Sequence, residues 1–142
     1  MAITQALASS FKQELLEGIH DFSASTGDVF KIALYTSSAS LDSATTAYTS
    51  SGESSGTGYT AGGETLTNVG VSLSGTTAYL DFDDVTWAAS SISAAGALIY
   101  NSSQSDKAVA ILSFGGTYTS TNGNFTVTFP AATSSTAIII LN

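Results

Sequence analysis

The side chains able to do chemistry in this 142-residue chain are few and scattered. Asp81, Asp83 and Asp84 form its only acidic cluster. Alternate carboxylates on one strand face can share a hard cation, so half a calcium site is one reading. The spacing is not that of an EF-hand loop, and the solvent face of a strand with its turn explains the same residues. A glycosidase pair would need a second carboxylate across a cleft, and no such partner is identifiable. His20, the single histidine, lies beside Asp21 at the end of a helical pattern, where a cation suits the helix dipole. As a general base it would need a nucleophile in reach, and none is recognisable, so a structural or exposed role is expected.

The run Gly52 to Gly63 is glycine-rich but lacks the Gly-Lys-Ser/Thr ending of a phosphate loop, so flexible turns explain it. Asn101-Ser-Ser and Asn124-Phe-Thr match the glycosylation triplet, both at expected turns, with nothing to indicate secretion. Trp87 and the tyrosines, Tyr79 among them, are weak surface-binding candidates because aromatic faces stack on sugar rings; core and edge packing is the commoner use of such residues in an all-β domain. No catalytic residue, cofactor or metal is expected.

Composition narrows the classes further. Eleven acidic residues against Lys12, Lys31 and Lys107, with no arginine, leave a net charge of −8. Such a surface repels phosphate backbones and anionic membranes, so neither nucleic acid nor membrane is an expected partner. Charged residues are only 10%, below the usual quarter, while serine and threonine approach a third. Hydroxyls cost less to bury than charges, which suits large protein contacts. There is no cysteine, which excludes disulfides and Cys-based zinc sites. MAITQALASSF has no basic segment, so no targeting peptide is expected, and Ala137 to Leu141 is too short to cross a bilayer.

These residues must be carried by a mainly β chain. Leu7, Phe11, Leu15, Ile19 and Phe22 recur at steps of three or four, predicting one amphipathic helix over about residues 5–20 capped by Thr4, with Gly18 weakening its last turn. From about residue 28 short alternating runs take over. Strands are expected at Asp28 to Tyr35, Glu64 to Leu73, Thr76 to Phe82, Ala94 to Tyr100, Lys107 to Phe114, Phe125 to Phe129 and Ala137 to Leu141. Val69, Val71 and Leu73 are expected to face inward, and Tyr79, Asp81 and Asp83 outward. Ala94 to Tyr100 and Lys107 to Phe114 are apolar on both faces, as central strands are. Gly115-Gly116 reads as a turn. The polar stretch 36–63 is too long for a simple connection, and should wrap the body or reach a neighbour with Tyr48 and Tyr59 tucked in. One domain over 1–142 is predicted, a β-sandwich of about seven or eight strands with possible jelly-roll connections and one N-terminal helix. Phe11, Leu15, Ile19, Phe22, Tyr48 and Tyr59 are its packing or assembly candidates.

The series SFKQELLEGIHDF, FKIALYTSSASL, GTGYTAGG, YLDFDDVTW, GALIYN and KAVAILSFGG spans nearly the whole chain and resembles a group of small virion structural proteins of tailed bacteriophages. The resemblance implies a non-enzymatic part of the particle, made in the host cytoplasm and located in the virion; it carries no catalytic residue across. Repulsion from packaged DNA favours an outward position. The leading expectation is a capsid decoration, or cement, protein that assembles with copies of itself and binds the major capsid protein. The alternatives are a tail or head–tail connector component and a sugar-binding adhesion module using Trp87 or Tyr79.

Overall fold

The computed structural model describes residues 2–142. The chain runs β1 (Ala6–Leu7), α1 (Ser9–Leu16), β2 (Phe30–Tyr35), β3 (Glu64–Thr65), β4 (Asn68–Ser74), β5 (Thr77–Phe82), β6 (Val85–Ser90), β7 (Ser93–Asn101), β8 (Lys107–Thr119), β9 (Gly123–Val127) and β10 (Ile139–Leu141). It is mainly β, as the alternating runs predict, with one short helix. A five-stranded sheet, ordered β1-β8-β7-β2-β3, forms one layer of a sandwich-like fold. The opposing strands are divided into a three-stranded piece, β10-β5-β4, and a two-stranded piece, β6-β9. All strand pairs are antiparallel.

The large sheet is central because its inner strands are buried on both faces. Ala97, Leu98 and Ile99 of β7, and Ile32, Ala33 and Leu34 of β2, are fully buried. Across the layers Phe30 of β2 stacks on Phe22 at 4.3 Å between ring centroids, and Phe82 of β5 closes the cluster at 5.9 Å from Phe30. Aromatic contacts of this kind add about 0.5–1.5 kcal/mol beyond the area they bury. A second cluster joins Trp87 of β6 to Phe125 of β9 and Tyr59 of the long loop.

The helix is shorter than the apolar spacing predicts, for two reasons. Upstream, Ala6 and Leu7 pair with Ile111 and Ala110 of β8, so the backbone is extended there and the N-cap is Ala8, not Thr4. Downstream, Gly18 adopts φ +72° and ends the helix. Its N–H reaches the Leu15 carbonyl while the Ile19 N–H reaches Glu14, the paired bonds of a Schellman stop. Gly18 is therefore a terminator rather than a weak point within the last turn. Of the predicted stripe, only Phe11 and Leu15 lie on the helix. Phe11 is fully buried against its own chain, which makes the helix a cover for the body. Phe22 is buried from the segment beyond, and Ile19 is only half-buried.

Three further expectations are corrected. Gly115 and Gly116 do not turn the chain: β8 runs on to Thr119. Ala94 pairs with Tyr118 and Gly96 with Ser113, so the glycines sit in a bulge on a continuous strand. Val69, Val71 and Leu73 do not face inward, being 47%, 57% and 72% exposed. Asp81 is not outside but 3% exposed.

Candidate functional site

His20 cannot serve as a base, because both ring nitrogens are committed. The Asn101 amide donates to the Asp28 carboxylate at 2.8 Å, and its carbonyl oxygen accepts from the Ser103 N–H, so its orientation is determined. The same NH₂ points at His20 Nδ1 at 2.9 Å, which makes Nδ1 the acceptor and leaves the ring proton on Nε2. Nε2–H then donates to Glu14 Oε1 at 2.9 Å, while Lys107 approaches the other oxygen of Glu14 at 3.4 Å. The imidazole is enclosed by Phe11, Phe22 and Phe30. This network links the helix to the β7–β8 hairpin; it is structural. It also removes Asn101 as a glycosylation acceptor, since that side chain is buried and fully used.

The stretch 36–63 wraps its own body. Leu41 is buried, and isolated bridges join Ile3 to Leu41, Tyr35 to Glu53 and Ala47 to Lys107. Its organising group is Glu53. One carboxylate oxygen accepts the Tyr59 hydroxyl at 2.6 Å and the Gly62 N–H at 2.7 Å. The other accepts the Tyr48 hydroxyl at 2.6 Å. The Tyr59 oxygen in turn accepts the Leu34 N–H, which ties the loop to β2. Burial and the Glu53 charge hold the Tyr48 and Tyr59 hydroxyls well above the usual tyrosine range, and burial pushes Tyr100 to about 12. Gly63 closes the stretch at φ +77°, where a Cβ would collide with the Ile32 carbonyl. Tyr48 and Tyr59 are thus half-buried anchors as predicted, but the carboxylate that gathers them carries no local sequence signal.

Asp81, Asp83 and Asp84 line one cleft of about 280 Å³. Asp81 Oδ1 accepts the Phe82 N–H and Asp84 Oδ1 the Phe129 N–H, so each has one oxygen assigned to the fold. Asp81 Oδ2 is buried without a partner. Burial, aided by the neighbouring Asp84 and Asp83 charges, raises its carboxyl above the ordinary range. Among the described residues, no group of three or more such side chains is arranged to hold a metal ion.

Of the two aromatic surface candidates, Trp87 is corrected: it is 2% exposed, packed between Tyr59 and Phe125. Tyr79 is half-buried and lines a small cleft with Leu15 and Leu141. The exposed aromatic is instead Tyr118, 59% accessible beside Phe114, in a groove of about 650 Å³ between β8 and β9. Its position follows from the Gly115–Gly116 bulge, which a turn assignment conceals.

A second uncovered apolar area lies on the three-stranded sheet. Val71 pairs with Leu80 and Leu73 with Ala78, while Ile139 and Leu141 of β10 pair with Leu80 and Ala78. Directly paired residues share a face, so these six form one apolar face. Leu15 of α1 covers its root, where Leu80 and Ile139 are buried; Leu73 and Leu141 extend beyond any cover. This face and the β8–β9 groove share no residue. No protein-family model, curated protein or solved structure matches the chain.

Proposed function

We propose that this chain is a non-enzymatic structural protein of a tailed-phage particle, a decoration protein that binds the outer capsid shell as an oligomer. The observation that carries the reading is the pair of separate uncovered apolar surfaces, on the β4 hairpin and in the β8–β9 groove. Uncovered apolar patches mark protein contacts, and a cement needs two kinds, to its own copies and to the shell. The side chains that would suggest chemistry are engaged elsewhere: His20 in Glu14 and Asn101, Glu53 in two tyrosines and a backbone N–H. A charge of −8 without arginine agrees with a site away from packaged DNA. The resemblance to small virion proteins supports the same reading. The test is the copy number in purified particles, with binding of the purified protein to shells that lack it. Hundreds of copies and saturable shell binding are expected. A copy number of a dozen or fewer overturns the cement reading and favours a tail or connector ring.

The β8–β9 groove favours a second reading, a sugar-binding adhesion module. Tyr118 and Phe114 lie at 6.4 Å and 74°, with the hydroxyls of Thr119, Thr126 and Thr128 around them. An aromatic face bordered by hydroxyls suits a pyranose ring. Silence on a glycan array, together with firm shell binding, removes it.

A further inference from the structure

We infer that two copies of this chain join through β4, edge to edge about a two-fold axis at Ser72, so that β10-β5-β4 becomes one continuous six-stranded sheet. The inference rests on the oligomer half of the reading above and needs no shell.

The free edge can be read from the hairpin register. The β4–β5 hairpin is closed by the two-residue loop Gly75-Thr76, with Ser74 opposite Thr77. In such a hairpin the closing pair is hydrogen-bonded and pairs alternate thereafter. Ser74 and Ser72 therefore direct their backbone groups at β5, while Leu73 and Val71 direct theirs outward. Among the described residues no strand lies on that side, because β4 is the sheet's edge. Near its start the strand is protected: Asn68 is bonded to the Ser23 and Asp28 carbonyls, and Gly70 lies against Ala24. From Val71 to Ser74 every residue is exposed.

Edge strands are normally defended by charge, proline or a covering segment. Val71 to Ser74 has none of these, and no charged residue occurs between Glu64 and Asp81. On a chain of net charge −8, this hairpin is a place where two copies can meet without opposing carboxylates.

The pattern is also self-complementary. An antiparallel pair centred on Ser72 sets Val71 opposite Leu73 of the second copy, and Leu73 opposite its Val71. Those residues hold the free N–H and C=O groups, so both become hydrogen-bonded pairs. Their side chains share one face, and the apolar faces of the two sheets merge. Centring the pair on Leu73 would set Val71 opposite Gly75 in the turn, and centring it on Val71 would set Leu73 opposite Val69 in the protected start of the strand. An isologous contact of this kind closes on itself and ends at two copies. A strand pair this short buries less than the roughly 1,200 Å² of a standard stable interface, so association in the micromolar range is expected.

The chain has no cysteine, so one introduced thiol reports the register without ambiguity. Two copies of Ser72 would face each other as a non-hydrogen-bonded pair, with Cα atoms about 4.5 Å apart, within disulfide reach. Two copies of Ser74 would lie beyond about 10 Å. In the full-length protein, Ser72→Cys should cross-link under mild oxidation at least about tenfold faster than Ser74→Cys. Leu73→Pro removes only an outward N–H, so it should abolish dimers seen by light scattering while the circular dichroism stays unchanged. Cross-linking at equal rates, or a wild-type chain that stays monomeric at about 100 μM, overturns the inference. A dimer that fails to bind shells leaves this interface intact and removes the cement reading; a shell-binding monomer does the reverse.

Discussion

Glu53 should hold the long loop against the body, and its replacement tests that directly. The carboxylate accepts three hydrogen bonds, two at 2.6 Å from tyrosine hydroxyls and one at 2.7 Å from the Gly62 N–H. Bonds to a charged group contribute about 1.5–3 kcal/mol when buried, and less where water can replace them. Tyr59 and Gly62 face the loop's underside, whereas Tyr48 lies nearer the surface, so Glu53→Ala should cost about 3–4 kcal/mol. Glu53→Gln is the sharper variant. Its carbonyl oxygen can take the place that serves Tyr59 and Gly62, and the Tyr48 hydroxyl can rotate to accept from its NH₂. A loss of about 1–2 kcal/mol is then expected. The raised tyrosine hydroxyls add a pH signature. A group with a raised folded-state value contributes stability below its unfolded value, near 10, and loses it as pH rises through the folded value. Wild-type stability should therefore fall above about pH 10 as Tyr35, Tyr48, Tyr59 and Tyr100 are forced to ionise. Urea unfolding gives the free energies, and hydrogen exchange at Leu34 and Gly62 reports the loop itself. If Glu53→Gln is as damaging as Glu53→Ala, or if both cost under about 1 kcal/mol, the carboxylate does not organise the loop.

Three other substitutions probe the fold. Asp81→Asn should stabilise the protein at pH 7 by about 1 kcal/mol, since it removes a buried charge whose Oδ2 has no partner. The Asp81 carboxyl is raised in the fold, so its penalty grows as pH rises; the advantage of the asparagine variant should vanish below the ordinary value of 3.8. Melting curves across that range check the sign, and a less stable variant at pH 7 refutes it. Phe11→Ala should cost about 3–5 kcal/mol, because the ring is fully buried within the chain. Ile19→Ala, beyond the Schellman stop and half-buried, should cost about 1 kcal/mol, and equal losses at the two sites would restore the longer helix.

What was legible in the residues, and what was not, divides along physical lines. Strands apolar on both faces can only be central, so β7 and β8 are readable from composition. Apolar spacing marked Phe11 and Leu15 but ran on through Gly18 to Ile19, because the period cannot see that a glycine has turned to positive φ. The Glu53 cluster joins residues far from any local pattern, and nothing in the neighbourhood of Ser54 or Gly52 announces it. Core packing was the commoner expectation for Trp87 and is what it does; which residues enclose it was not legible, since Tyr59 and Phe125 arrive from elsewhere.

The misreading at β4 teaches most. Alternation at Val69, Val71 and Leu73 says that one face of a strand is apolar; it does not say what covers that face. A core was the natural inference, because a single chain usually supplies its own cover. Here the chain supplies Leu15 at the root and nothing beyond it, leaving Leu73 at 72% exposure. Burying such a face stabilises by about 25 cal/mol for each square ångström taken from water, and the isolated chain forgoes that gain. The uncharged run from Thr65 to Leu80 also forgoes the lysine that would protect an edge. Neither omission helps a free monomer, whereas the proposed pairing through β4 would use both. The alternation is therefore right about the chemistry of the strand, and the proposed pairing assigns its missing cover to a second copy.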